Sequence, residues 1–136
     1  MIQRVQTIWM ILAAIAVFLT LKFSFYSGTL AVDNSYHALM AADNFFLLIL
    51  TSALGTGVII NIFLFKHRSV QFRIIMFGLL AEFLIIFLYI RETSKFSNGN
   101  FSLWASLHLL IIVFLIFAAR GIYKDSKLIK ESNRLR

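Results

Sequence analysis

The chain has 136 residues, of which 60% are hydrophobic and 14% charged, and its formal net charge is +7. This composition excludes an ordinary water-soluble fold, whose residues are more evenly mixed and whose helices would each need a polar face. The sequence contains no cysteine and no proline, which rules out disulfides, thiolate metal sites and the proline-broken helices on which many transporters build their binding sites.

Four apolar stretches each approach the ~20 residues needed to cross ~30 Å of hydrocarbon. The predicted spans are residues 5–25, 44–65, 74–90 and 102–119. The predicted fold is therefore all-α, an integral membrane bundle of four transmembrane helices, with residues 1–136 forming a single membrane domain. Residues 26–43 and 91–101 are expected to be loops, and residues 36–42 either extend the second helix or lie along the membrane surface.

Positive charges fall unevenly at the two ends of this bundle. One end carries ten basic residues: Arg4, Lys66, Arg68, Arg73, Arg120, Lys124, Lys127, Lys130, Arg134 and Arg136. The other end carries three: Lys22, Arg91 and Lys95. Because cytoplasmic loops are enriched in Lys and Arg, both termini are predicted to be cytoplasmic. A cleaved signal peptide is the alternative for the first stretch, but no convincing small-residue cleavage site follows it.

Glu82 lies at the centre of the third predicted span. A charged carboxylate there costs ~2.5–3.5 kcal/mol on insertion scales, so Glu82 is expected to face the other helices and to be protonated or hydrogen-bonded. His108 falls at a similar depth on the fourth helix, and Asn61 on the second helix is another candidate neighbour. This intramembrane polar cluster fits either a proton-relay or ion-coupling site, or a hydrogen-bonded clamp that fixes the register of the helices.

Small residues recur at helical spacing on two of the predicted spans. They are Ala53 and Gly57 on the second span, and Gly78 and Ala81 on the third. Small residues let membrane helices approach closely, so these positions are expected to be helix-packing sites.

The segment 120–136 is predicted to be a basic cytoplasmic tail. Its Lys and Arg residues are expected to attract anionic lipid headgroups at ~1 kcal/mol per base near the surface. Nucleic-acid binding is not expected, since neither a recognisable fold nor interleaved aromatic residues accompany the charge. A membrane-protein partner is compatible with the sequence, but no motif identifies one.

The chain opens with MIQRVQT (residues 1–7) and carries ARGIYKD (residues 119–125) near its close. These two segments resemble the ends of an uncharacterised family of small four-span membrane proteins from the Bacteroidota, known only as a domain of unknown function. The resemblance implies an inner-membrane location in a Gram-negative cell, and it brings no activity.

The two resembling segments flank the cytoplasmic ends of the first and fourth spans. We expect their polar residues, Gln3, Arg4, Arg120 and Asp125, to form a cytoplasmic-end motif. In this hypothesis Arg4 or Arg120 bonds Asp125 or helix-end carbonyls, and the motif seals the inner surface of the bundle.

The sequence indicates a non-enzymatic membrane protein that packs against partners or lipids, with no cofactor and no metal. No nucleophile–base pair, metal-ligand set or phosphate loop supports an enzyme. The alternative is a small proton-coupled transporter that uses Glu82. Small multidrug exporters also have four spans and one intramembrane carboxylate, although theirs lies in the first span.

Overall fold

The computed structural model describes residues 2–136, with side chains from Val5 onward. Within that range it contains four long helices, α1 (Ile2–Lys22), α2 (Phe45–Phe63), α3 (Arg68–Thr93) and α4 (Ser106–Arg134). All are long and apolar enough to cross a membrane. The prediction of a mostly helical chain with four such helices is therefore confirmed.

The helices form an antiparallel bundle in which α1 and α3 each pack against both α2 and α4. Its core contains fully buried apolar side chains from all of these helices, including Met10, Leu47, Ile75 and Ile111. The outer surface is apolar as well, and Phe77, for example, is 71% exposed. Helices that are hydrophobic all round are typical of bundles surrounded by lipid.

The described residues also form a three-stranded antiparallel sheet, which the sequence analysis did not predict. Its strands are β1 (Tyr26–Leu30), β2 (Tyr36–Leu39) and β3 (Phe96–Phe101), in the order β2-β1-β3. The expectation of loops at residues 26–43 and 91–101 is therefore wrong, and residues 36–39 are strand. Because β1 follows α1 and β3 precedes α4, the sheet lies at one end of the bundle, which we call the sheet end. The opposite end is the tail end.

Two glycines allow the central strand pairing of the sheet. Gly28 and Gly99 stand directly opposite each other on β1 and β3. A Cβ added to Gly28 would overlap the backbone of Asn98 and Gly99, and one added to Gly99 would overlap the ring of Tyr26. Only glycine therefore permits the two backbones to approach this closely.

The turn between β1 and β2 is stabilised by Asp33. Its carboxylate accepts hydrogen bonds from the Ser35 hydroxyl at 2.7 Å and from the Ser35 backbone N–H at 3.1 Å. These bonds, the side-chain one first, hold the pKa of Asp33 below its usual range. Asn34 between them has a φ of 56°, in the left-handed region that Asn tolerates.

The helix ends differ from the predicted spans at both ends of the bundle, by up to six residues at the start of α3 and by more at the end of α4. Helix α1 ends at Lys22 rather than residue 25, and α3 begins at Arg68 rather than residue 74. Helix α4 continues through the basic segment to Arg134. Its 29 residues span about 43 Å at 1.5 Å per residue, more than the ~30 Å hydrocarbon layer. The basic tail is thus mostly a continuation of the last helix.

Candidate functional site

Glu82 of α3 and His108 of α4 meet inside the bundle. His108 Nδ1 and Glu82 Oε1 lie 2.7 Å apart and share one hydrogen bond. The side chain of Glu82 is 1% exposed and that of His108 is 4% exposed. Strand β3 connects α3 to α4 and makes them antiparallel neighbours, which brings the start of α4 beside the second half of α3.

Two aromatic rings cover the pair on the side of the sheet. Tyr89 lies two turns after Glu82 on the same face of α3, and its ring centroid is 5.1 Å from that of His108. Phe25, at the base of β1, stacks on Tyr89 at 4.4 Å and meets His108 edge-on at 5.4 Å. Tyr89 is one residue from the end of the predicted third span, and the structure buries it completely.

His108 also lines an apolar cleft between α3, α4 and the end of β3. The cleft has a volume of about 470 Å³ and its walls include Phe25, Ile86, Phe101, Leu103 and Leu109. Glu82 is not part of this wall. His108 is therefore the member of the pair that borders the cleft.

Asn61 does not join Glu82 and His108, so this part of the predicted polar cluster is wrong. Its side-chain amide donates to the Gln71 carbonyl at 3.2 Å, and the Gln71 side chain donates to the Asn61 carbonyl at 3.1 Å. The sulfur of Met10 contacts both amides. Glu82 lies eleven residues beyond Gln71 on α3, which is about 16 Å along the helix axis. Asn61 and Gln71 therefore form a separate clamp across the α2–α3 connection at the tail end.

The predicted helix-packing residues divide into two groups. Gly78 is buried, and a Cβ there would meet Leu54 at 3.2 Å, while Ala81 packs against the buried core. Ala53 is exposed, and a Cβ on Gly57 would meet nothing within 4 Å. The expectation is thus wrong for Ala53 and Gly57.

The physical reason for that error is the orientation of α2. Its buried face runs through Thr51, Leu54, Gly55 and Val58, and Gly55 is the glycine that approaches α1, at Val17 and Phe18. Ala53 and Gly57 instead line an open apolar groove between α2 and α3.

The structure contradicts the central contact that was predicted for the cytoplasmic-end motif. Arg68, at the start of α3, forms an ion pair with Asp125, with 2.8 Å between Nη1 and Oδ2. Arg68 Nη1 also donates to the Asp125 backbone carbonyl at 3.3 Å. Arg120 is exposed on the outer face of α4, so it does not provide the predicted bond. The side chains of Gln3 and Arg4 lie outside the described residues.

The first and last helices nevertheless meet at the tail end. Gln6 is buried, and a Cβ on Gly121 would overlap its side chain. This glycine therefore allows α1 and α4 to pack closely where the two resembling segments come together.

We expect Arg68→Ala to lower the free energy of unfolding because it leaves the buried Asp125 without its partner. The expected loss is about 1.5–3 kcal/mol, the usual value of a hydrogen bond to a charged group. The matched variant Arg120→Ala should change the free energy of unfolding by less than about 0.5 kcal/mol. Denaturation of the two variants in mild detergent measures both values. Equal losses would show that Arg120 supports Asp125 after all.

The sequence analysis missed four residues that shape these sites: Phe25, Arg68, Gln71 and Tyr89. Gln71 had a detectable signal, since it is an uncharged polar residue three positions before the predicted third span. Arg68 was counted only as a topological charge. The contacts of Phe25 and Tyr89 depend on the sheet and have no local signal.

Chemically, the Glu82–His108 pair can hold one shared proton. Among the described residues, no group of three or more His, Cys, Asp or Glu side chains converges to hold a metal ion. The bundle therefore offers one buried proton-binding pair, bordered on one side by an apolar cleft.

Residues 2–135 match the model of a family described as a domain of unknown function, DUF4293. The chain belongs to that family, and this confirms the resemblance to a family known only as a domain of unknown function. No curated protein and no solved structure matches the chain.

Proposed function

We propose that this member of the DUF4293 family is a non-enzymatic, multi-pass protein of the bacterial inner membrane that acts as a structural or partner-binding subunit. Both termini are placed in the cytoplasm in this proposal. The distribution of charge supports it, because the tail end carries ten of the thirteen Lys and Arg residues counted in the sequence.

The observation that carries the structural role is the enclosure of the Glu82–His108 pair. The carboxyl and imidazole satisfy each other at 2.7 Å. Tyr89 and Phe25 cover them towards the sheet, and the fully buried Ile85 and Ile111 are their neighbours along α3 and α4. A polar pair held among apolar side chains fixes the register of two helices, since sliding either helix would leave both groups unpaired.

A small proton-coupled transporter that uses Glu82 is the second candidate. It is favoured by the contact of His108 with the cleft at the sheet end, which brings one side of the proton-binding pair close to the surface. Intramembrane ionisable groups are functional-site candidates in general.

The variant Glu82→Gln separates the two candidates, because glutamine keeps the shape and a hydrogen bond but cannot ionise. Purified wild-type and variant chains are placed in liposomes that contain a pH-sensitive dye, with the exposed Glu131→Gln as the matched control. A structural role predicts that all three proteins dissipate an imposed pH gradient equally slowly. Proton flux that is present in wild type and in Glu131→Gln but lost in Glu82→Gln would overturn the structural role and establish the transporter.

A further inference from the structure

We propose that the groove between α2 and α3 receives a second copy of this chain, in a symmetric dimer whose two α2 helices cross at Ala53 and Gly57. We call this feature the α2 groove. Its walls include Ala53, Gly57 and Asn61 from α2, and Phe77, Gly78 and Ala81 from α3. The inference names the partner of the proposed partner-binding subunit, so it rests on that proposed function.

Small residues form much of the α2 wall of the groove. Ala53, Gly57 and Asn61 recur every four residues along it, and Ser52 and Thr56 precede the first two in the sequence. A Cβ added to Gly57 would meet nothing within 4 Å, and the groove has an open volume of about 220 Å³. Small residues four positions apart let two membrane helices cross closely in a right-handed pair, at about −40°. The row on α2 therefore has the spacing that such a crossing requires.

The surfaces of the other three helices do not share this feature. The exposed residues are all Val, Ile, Leu, Met or Phe within residues 5–21 of α1, 74–90 of α3 and 107–119 of α4. On α2, by contrast, Ala53 and Thr56 are exposed. Interfaces between membrane helices are enriched in small residues, so a helix is the occupant that this surface fits.

A buried acceptor without a partner lies in the wall of the α2 groove. Asn61 is completely buried, and its Nδ2 donates to the Gln71 carbonyl at 3.2 Å. Its Oδ1 has no hydrogen-bond partner among the described residues. An unsatisfied buried acceptor is costly, so a donor that reaches it would be stabilised there. An acyl chain has no donor to offer, whereas a polar side chain on a second helix has one, and this favours a helix over a lipid.

Two-fold symmetry makes a second copy the helix that fits the groove. In a two-fold dimer, the commonest oligomer, the same patch on both subunits meets itself. Close approach requires small residues on both helices, and α2 is the helix that exposes them in the spans compared above. The two copies have the same orientation in the membrane, so their α2 helices are parallel and equal positions face each other across the axis.

The dimer also supplies a donor for the free acceptor, because Asn61 of one copy faces Asn61 of the other. The amide nitrogen of each Asn61 carries two hydrogens. One is donated to the Gln71 carbonyl, and the other is directed to the sulfur of Met10 at 3.7 Å, which is a weak acceptor. In the dimer this second hydrogen bonds the Oδ1 of the opposite Asn61.

The first test is disulfide cross-linking of the full chain in phospholipid vesicles. The sequence has no cysteine, so Ala53→Cys places a single thiol in the α2 groove. Ile59→Cys is the matched control, on the side of α2 that faces α1. Because a disulfide needs Cα atoms about 4.4–6.8 Å apart, mild oxidation should yield about tenfold more covalent dimer with Ala53→Cys than with Ile59→Cys. Equal yields would indicate random collisions and would overturn the proposal.

The second test fills the crossing point. Gly57→Ile should leave the fold of the single chain intact, since a Cβ at this position meets no other atom within 4 Å. Resonance energy transfer between labelled copies in vesicles should show a dissociation constant about tenfold higher for this variant than for wild type. The control Ile59→Phe, at an exposed position outside the groove, should dimerise like wild type. Unchanged dimerisation of Gly57→Ile would overturn the proposal.

The remaining outcomes separate the dimer from the proposed function. A wild-type chain that floats with the vesicles but stays monomeric at every protein-to-lipid ratio would overturn the dimer alone. A photoreactive residue at position 53 that labels a different protein in cells, and never a second copy, would also overturn it and assign the groove to a helix of that protein. Failure of the wild-type chain to float with the vesicles would contradict its membrane location and the dimer with it.

Discussion

Glu82→Ala is expected to lower the free energy of unfolding by ~3–5 kcal/mol, because it leaves His108 buried without the partner that satisfies it. The side chain it removes is 1% exposed and is bonded at 2.7 Å. Titration of the detergent-solubilised protein with a denaturing detergent, followed by circular dichroism, measures this loss. A loss below about 1 kcal/mol would show that His108 finds another partner or water and that the pair does not hold the helices together.

A double variant makes this prediction more specific. Glu82→Leu combined with His108→Phe keeps similar volumes but removes both polar groups. Replacing a whole buried pair by apolar residues is often neutral or stabilising, so the double variant should recover most of the stability that Glu82→Ala loses. If the double variant has as low a free energy of unfolding as Glu82→Ala, the interaction between the two polar groups stabilises the bundle beyond the packing of their side chains.

The contact between Glu82 and His108 could be predicted because it follows from helix geometry alone. Both residues interrupt apolar stretches, and a rise of 1.5 Å per residue brings them to a similar depth on adjacent helices. The Asn61–Gln71 clamp could not be found in this way, since the third span was drawn from residue 74 and excluded Gln71. Predicted helix ends commonly differ from observed ones by a few residues. Here that difference left Gln71 unrecognised as the partner of Asn61.

The sheet could not be predicted because nothing local indicates it. Strand β3 reads FSNGNF, which lacks the alternation of apolar and polar residues that marks a half-buried strand. Its partner β1 lies about 70 residues earlier in the chain, as in the pairing of Gly28 with Gly99. Because two short polar segments become strands only when the helices hold them side by side, the sheet is a product of tertiary structure.

Phe25 and Tyr89 show how that unpredicted sheet affects the candidate site. The Phe25 N–H donates to the Leu39 carbonyl at 2.9 Å, and its own carbonyl accepts from the Ser102 N–H at 3.0 Å. These bonds fix the Phe25 ring against Tyr89. The sheet thereby closes the end of the bundle over the Glu82–His108 pair.

Tyr89→Phe is expected to preserve or raise the free energy of unfolding, whereas Tyr89→Ala is expected to lower it. The Tyr89 hydroxyl is buried and has no hydrogen-bond partner among the described residues, so Tyr89→Phe should leave the free energy of unfolding unchanged or raise it by about 1 kcal/mol. Tyr89→Ala removes a fully buried ring and should lower the free energy of unfolding by ~3–5 kcal/mol through lost packing. The same denaturation measurement compares both variants with the exposed Tyr36→Ala, which should stay within about 0.5 kcal/mol of wild type.

The two Tyr89 variants should also differ in access to the buried pair. The Tyr89 ring stacks on Phe25 at 4.4 Å and contacts His108 edge-on at 5.1 Å. Its loss in Tyr89→Ala leaves a second route to the imidazole, from the sheet, in addition to the apolar cleft that His108 lines. Modification of His108 by diethyl pyrocarbonate should therefore be faster in that variant than in wild type, and should keep the wild-type rate in Tyr89→Phe. Fast modification in Tyr89→Phe would mean that the hydroxyl rather than the ring closes the site. Slow modification in Tyr89→Ala would mean that Phe25 alone is sufficient to close it.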